Sequence, residues 1–139
     1  MKRKVLFIDD ENSWRTMVSM FLRLAGYECL TAKDAIGSML YSGEDDLAAI
    51  ILDVNLGSEN TNDLLKSLKE ANPGVPVVLY TGLENTDPSI KRLLEEGANE
   101  YLRKGNLQDL VQCVRVVAGH SANRLQKPPM LQTSAWQVV

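Results

Sequence analysis

Ala48-Ala49-Ile50-Ile51-Leu52-Asp53 is an apolar run with no polar alternation, ended by a single carboxylate. A strand that is apolar on consecutive residues is buried on both faces, which is the habit of a parallel sheet covered by helices. Working outward, four more short runs read as strands: Val5–Asp9, Glu28–Thr31, Val77–Tyr80 and Glu100–Leu102. Helical patterns separate them. Trp14, Met17, Val18, Phe21, Leu22 and Ala25 recur on one helical face, and Gly26 follows where a left-handed cap would end the helix. Ala35, Ile36, Met39 and Leu40 form a weaker second helix, and Leu64, Leu65, Leu68 and Ala71 a third, stopped by Asn72-Pro73-Gly74. Asp87-Pro88 opens a fourth, with Ile90, Leu93 and Leu94 inward and Gly97 at its end. Asn106 caps a fifth, with Asp109 three residues on, which is expected to end near Ala118-Gly119.

Strand and helix thus alternate five times. Eight such units close a barrel, whereas five make an open α/β sheet wound in both directions. Such a sheet places its ligands beyond the carboxyl ends of the strands. The residues standing there are Asp9 and Asp10 with Glu11, then Asp53, Thr81 and Lys104. Singly, each suits a bland role as turn, cap or solvated charge. The topology brings them to one edge. Three acids held together raise one another's pKa unless a cation neutralises them. A hard divalent ion such as magnesium, using carboxylates and a phosphate, answers that need. Ionised Asp53 is then a nucleophile toward phosphorus, with Lys104 as a point charge and Thr81 as a hydroxyl donor for phosphoryl oxygens.

Bulk properties agree with one α/β unit. The chain has 139 residues, about 45% hydrophobic and 24% charged, with a formal charge of −3. That composition supports one core, and the mild acidity argues against direct nucleic-acid binding. No stretch approaches the ~20 apolar residues of a membrane span. Cys29 and Cys113 are far apart, match no metal spacing, and suit a reduced, cytoplasmic setting as small buried residues. The chain divides into a domain at 1–119 and a tail or linker at 120–139. Near the end of that tail, Trp136-Gln137-Val138-Val139 is apolar enough to suggest docking on its own domain or on a neighbour.

The motifs Val5-Leu6-Phe7-Ile8-Asp9-Asp10-Glu11, Ile51-Leu52-Asp53-Val54-Asn55-Leu56, Val78-Leu79-Tyr80-Thr81-Gly82 and Gly97-Ala98-Asn99-Glu100-Tyr101-Leu102-Arg103-Lys104 together resemble the response regulator receiver (CheY-like) domain of two-component signalling, over roughly residues 4–118. The resemblance implies a flavodoxin-like (βα)5 sandwich around a five-stranded parallel sheet. It implies that Asp53 accepts a phosphoryl group from a histidine kinase or histidine phosphotransfer protein, with Mg2+ or Mn2+. Asp10 would bind the metal directly, Asp9 mainly through water, and Asn55 through its backbone carbonyl. Thr81 and Tyr101 would be the switch pair, and Lys104 the partner of a phosphoryl oxygen. The fourth helix, fifth strand and fifth helix would form the face that signals to a downstream effector. Homodimerisation is left open.

There are departures. Gly57 and Thr61 stand where the family often has proline and glycine, predicting a more mobile polar loop over 57–62, and Gly105 replaces the usual proline after the lysine. The Lys104–Gly105 bond is therefore expected to be trans. A flavodoxin-type cofactor binder would need a phosphate-cradling loop where Asp9-Asp10-Glu11 stands. A phosphatase acting through an aspartyl intermediate wants an acid where Asn55 stands. A degenerate receiver kept only for binding would not retain the full acid, threonine and lysine set.

Overall fold

A computed structural model describes residues 2–41, 43–57 and 59–123. The tail reading, including Trp136, lies outside these residues. The elements run β1 (Lys4–Ile8), α1 (Asn12–Leu24), β2 (Glu28–Ala32), α2 (Ala35–Met39), β3 (Leu47–Leu52), α3 (Thr61–Ala71), β4 (Val77–Thr81), α4 (Pro88–Glu95), β5 (Glu100–Arg103) and α5 (Leu107–Asn123). All strand pairs are parallel, in the order β2-β1-β3-β4-β5. The α/β doubly wound sheet expected from the sequence is present. Its winding reverses between β1 and β3, so those two strands flank the switch point.

Alternation along the strands divides the core in two. Val5, Phe7, Ala49, Ile51, Val78 and Tyr80 pack with Val18 and Leu22 of α1 and with Leu110, Cys113, Val114 and Val117 of α5. Leu6, Ile8, Ile50, Leu52, Val77 and Leu79 pack with Leu64, Leu65 and Leu68 of α3 and with Ile90 and Leu93 of α4. Full burial of such a side chain is worth roughly 1.5–3 kcal/mol. The continuous apolar runs supply that on both faces of β1, β3 and β4. Cys29 and Cys113 are free and buried, and burial pushes the Cys113 thiol up to about 12.

Local chemistry sets the helix ends. Gly26, at φ +101, lets Gly26 N–H reach Arg23 O and Tyr27 N–H reach Leu22 O, closing α1 in a left-handed cap. Asp87 accepts from Ser89 N ahead of Pro88, and Asn106 accepts from Gln108 N and Asp109 N.

Three expectations need correction. α5 continues past Gly119 to Asn123, because a glycine without a positive φ does not cap a helix that can still propagate. Residues 120–123 are therefore helix rather than tail. α2 is only five residues long, and Ile36 (83% exposed) and Leu40 (81%) face outward, because so short a helix turns only Ala35 and buried Ser38 toward the core. Leu94 of α4 is likewise 39% exposed, one position off the inward stripe of Ile90 and Leu93. In the polar loop, the described residues from Glu59 to Thr61 carry hydrogen bonds. Glu59 accepts from Ala35 N at 2.6 Å, Asn60 caps α3 through Asp63 N, and buried Thr61 donates to Val54 O at 2.7 Å.

Candidate functional site

The sheet ladder carries each acid to its place. Asp9 N–H donates to Ala32 O and Asp53 N–H to Ile8 O, one step beyond the ends of β1 and β3. Both carboxylates are buried, and Asp10 beside them is exposed. One oxygen from each of Asp9, Asp10 and Asp53 can lie within 4.8 Å of the others. Thr81, fully buried, ends β4. Its carbonyl accepts from Lys104 N at 2.8 Å, which fixes the start of the lysine loop.

Lys104 reaches back across this edge. Its Nζ lies 2.7 Å from Asp9 Oδ2 and 3.3 Å from Asp53 Oδ2. The remaining oxygens are held by backbone, Asp9 Oδ1 by Glu11 N at 2.9 Å and Asp53 Oδ1 by Asn55 N at 3.2 Å. Burial pushes the Asp53 carboxyl above its ordinary 3.8; Lys104 pulls it back down and Asp9 pushes it up again. Burial also works against the Lys104 charge, but Asp9 and Asp53 outweigh it and hold the ammonium above the usual lysine value.

The cluster opens into a cleft of about 520 Å³ walled by Asp10, Trp14, Asp53, Asn55, Thr81 and Lys104. A hard cation fits the donor set. Three carboxylates face one ammonium, and Asp9 Oδ2, fully buried, has only the lysine's charge and no aligned hydrogen bond. Oxygen ligands with an open, hydrated side are what magnesium accepts. Tyr101 sits apart from the acids. Its ring packs on the α3–α4 core and its hydroxyl donates to Leu83 O at 2.5 Å.

Every acid read from the sequence, with Asn55, Thr81 and Lys104, borders this one cleft or lies at its floor. All peptide bonds among the described residues are trans, Lys104–Gly105 included, and Gly105 turns through φ +153 instead. Two contributors escaped the sequence reading. Arg15 donates to Asp9 O at 2.7 Å and steadies the strand end. Trp14 packs against the α1–α5 core as the apolar stripe of α1 predicts, and it also lines the cleft, with its ring centroid 4.9 Å from Lys104 Nζ. The available signal was its place as the first inward residue of α1, in the turn that overhangs the strand ends.

The family model described as the response regulator receiver domain matches residues 5–115. The DNA-binding transcriptional regulator NtrC of Bradyrhizobium sp. is 35% identical over 127 residues, 89% of this chain and 26% of that protein. The transcriptional regulatory protein CusR of Escherichia coli is 32% identical over 101 residues, 73% of this chain and 44% of that protein. The chain therefore spans less than half the length of these curated relatives. Among solved structures, the chemotaxis response regulator CheY4 of Vibrio cholerae is 30% identical with a TM-score of 0.73, over 84% of this chain and 99% of that one. A CheY-like receiver domain from Methanospirillum hungatei shares the fold at a TM-score of 0.81 and 20% identity, over 89% of this chain and 99% of that one. The chain belongs to the response regulator receiver domains, the phosphorelay modules of two-component signalling.

Proposed function

We propose that Asp53 accepts the phosphoryl group and that the surrounding residues make it competent to do so. The observation that carries this reading is Lys104 Nζ placed between Asp9 and Asp53 at the floor of an open cleft. An Asp53 oxygen attacks phosphorus, and the bond to the donor's leaving group breaks. From a histidine kinase or histidine phosphotransfer protein the leaving group is an imidazole nitrogen. Lys104 then pairs with one phosphoryl oxygen and the Thr81 hydroxyl donates to another. Asp10, Asp53 and the Asn55 backbone carbonyl would hold Mg2+ or Mn2+, with Asp9 acting mainly through water. The cation supplies charge neutralisation between the acids and the incoming phosphate. The domain catalyses only its own phosphorylation and dephosphorylation, and is not an enzyme toward other substrates.

The output of the switch is a change at the α4–β5–α5 face, with Thr81 moving toward the phosphate and Tyr101 turning inward as its bond to Leu83 is exchanged. That face would dock an effector protein or domain, and the greater length of the relatives supports such an arrangement. No helix among the described residues is long and apolar enough to cross a membrane, and a cytoplasmic site of action suits the kinase partner. We assign the receiver to residues 1–119, with α5 extending it to Asn123. Incubation with acetyl phosphate and Mg2+, followed by intact mass, tests the reading. Wild type should gain one phosphoryl group, and EDTA or Asp53→Asn should prevent it. A gain that persists in Asp53→Asn would overturn the assignment.

A further inference from the structure

Lys104 must hold a compact charge between two carboxylates from the end of a flexible four-carbon stem. The Lys104 N–H bond to Thr81 O fixes the start of the loop that carries it, but the next residue, Gly105, is the least restrained of residues and sits at φ +153. Two aromatic side chains from other elements supply the restraint. Tyr80 is buried in the α1–α5 core, yet its hydroxyl accepts the Gly105 N–H at 3.3 Å. Trp14, from the first turn of α1, lies with its ring 4.9 Å from Lys104 Nζ. The two rings meet edge to face, 5.7 Å apart at 86°. The contacts form a closed circuit, from Trp14 to Lys104, along the chain to Gly105, to Tyr80, and back to Trp14. A ring face attracts a cation, and a T-shaped pair resists sliding, so each contact limits the freedom of the next.

We propose that Trp14 and Tyr80 are positioning residues for Lys104, an aromatic bracket that aims the ammonium at Asp53 in place of backbone rigidity. A filler role is the plain alternative for Trp14. Its place in the cleft wall, half-buried and beside the charge, distinguishes it from Val18 and Leu22 on the same helix, which are fully buried. The inference rests on Lys104 acting at the phosphoryl group, so its test separates the two ideas.

The first measurement ignores phosphate. In protein labelled at lysine, the Lys104 ε-methylene protons should be shifted upfield by the Trp14 ring, and Trp14→Leu should return them to ordinary lysine values. Lys104→Ala identifies the signal. Unshifted protons in wild type would overturn the bracket. The second measurement compares beryllofluoride and Mg2+ affinities. Trp14→Leu should weaken beryllofluoride by about tenfold, the scale of a partly desolvated cation–π contact, and Trp14→Phe should recover most of it. Tyr80→Phe keeps the ring and loses the Gly105 acceptor, and should cost about threefold. Mg2+ affinity should stay level or rise in Trp14→Leu, because a loosened Lys104 competes less for Asp9 and Asp53. Equal loss of both affinities with a lower Tm would mark Trp14 as filler and overturn the proposal. Unchanged beryllofluoride affinity in Trp14→Leu would do the same. Wild type with shifted protons but no beryllofluoride binding would overturn the phosphoacceptor reading while supporting the placement of Lys104.

Discussion

Tyr80 and Thr81 are neighbours at the end of one strand, and they live in different surroundings. Tyr80 faces the α1–α5 layer, where its ring is gripped by Trp14 and its hydroxyl holds Gly105. Thr81 faces the opposite layer, where its hydroxyl has one long contact, from Leu83 N at 3.4 Å. Tyr101, on that same side, is half-buried and makes its hydrogen bond to a loop carbonyl. The helices differ as well. α1 and α5, on the first face, run 13 and 17 residues, whereas α2, α3 and α4, on the second, run five, 11 and eight. Strand alternation thus puts the residues that hold the lysine loop on one side of the sheet and the proposed switch pair, Thr81 and Tyr101, on the other.

The largest test of this contrast is packing. Leu22→Ala in α1 should cost about 2–5 kcal/mol of folding stability, as expected for emptying a fully buried leucine site. Leu94→Ala in α4 should stay within roughly 0.5 kcal/mol. Urea unfolding of the two variants compares a buried leucine of one layer with an exposed one of the other, and similar losses would contradict that difference in burial. Next in size is the switch itself. Thr81→Ala should slow phosphorylation by no more than about tenfold, the worth of one hydrogen bond. It should nonetheless abolish most of the beryllofluoride-induced change at the Tyr101 ring seen by NMR. An undiminished change in the variant would uncouple the two residues.

A pH experiment sharpens the boundary between the layers. Burial raises the Asp53 carboxyl above 3.8, so the folded metal-free domain holds that proton more tightly than the unfolded chain does. The resulting stability is present below 3.8 and is lost as pH rises through the raised folded value. Asp53→Asn should remove that downward slope. Lys104→Ala should push the Asp53 titration higher still, read from its carboxyl carbon signal. A slope that survives in Asp53→Asn would assign the proton to another group. The smallest effect is expected at α2, where Ile36→Ser and Leu40→Ser should each change stability by about 0.5 kcal/mol or less, because neither side chain is buried.

Much of this was legible before any coordinates. β3 is apolar on consecutive residues from Leu47 to Leu52, and only a strand covered on both faces tolerates that. The acids, Thr81 and Lys104 could be gathered because a parallel sheet has one carboxyl edge. Helix periodicity carried less. It says which residues share a stripe but not how long the helix is, so Ile36 and Leu40 read as inward on a helix too short to cover the sheet. It also treats every inward position alike, so it does not tell that Trp14, packed against the α1–α5 core, lines the cleft too. Gly119 was read as a stop, but the signal is φ, and glycine can remain in a helix at about 1 kcal/mol relative to alanine. The Tyr80–Gly105 hydrogen bond had no sequence signal, since it joins positions 25 residues apart through a tertiary turn.

The claim on which everything else depends is that the phosphoryl group goes to Asp53. Borohydride reduces an acyl phosphate, turning a phosphorylated aspartate into homoserine, while free carboxylates survive. The chain would be phosphorylated with acetyl phosphate and Mg2+, reduced, digested and sequenced by mass spectrometry. Homoserine should be found at position 53 and absent when EDTA replaces Mg2+. Homoserine at Asp9 or Asp10 instead, or at no position in a sample whose intact mass shows phosphorylation, would contradict it.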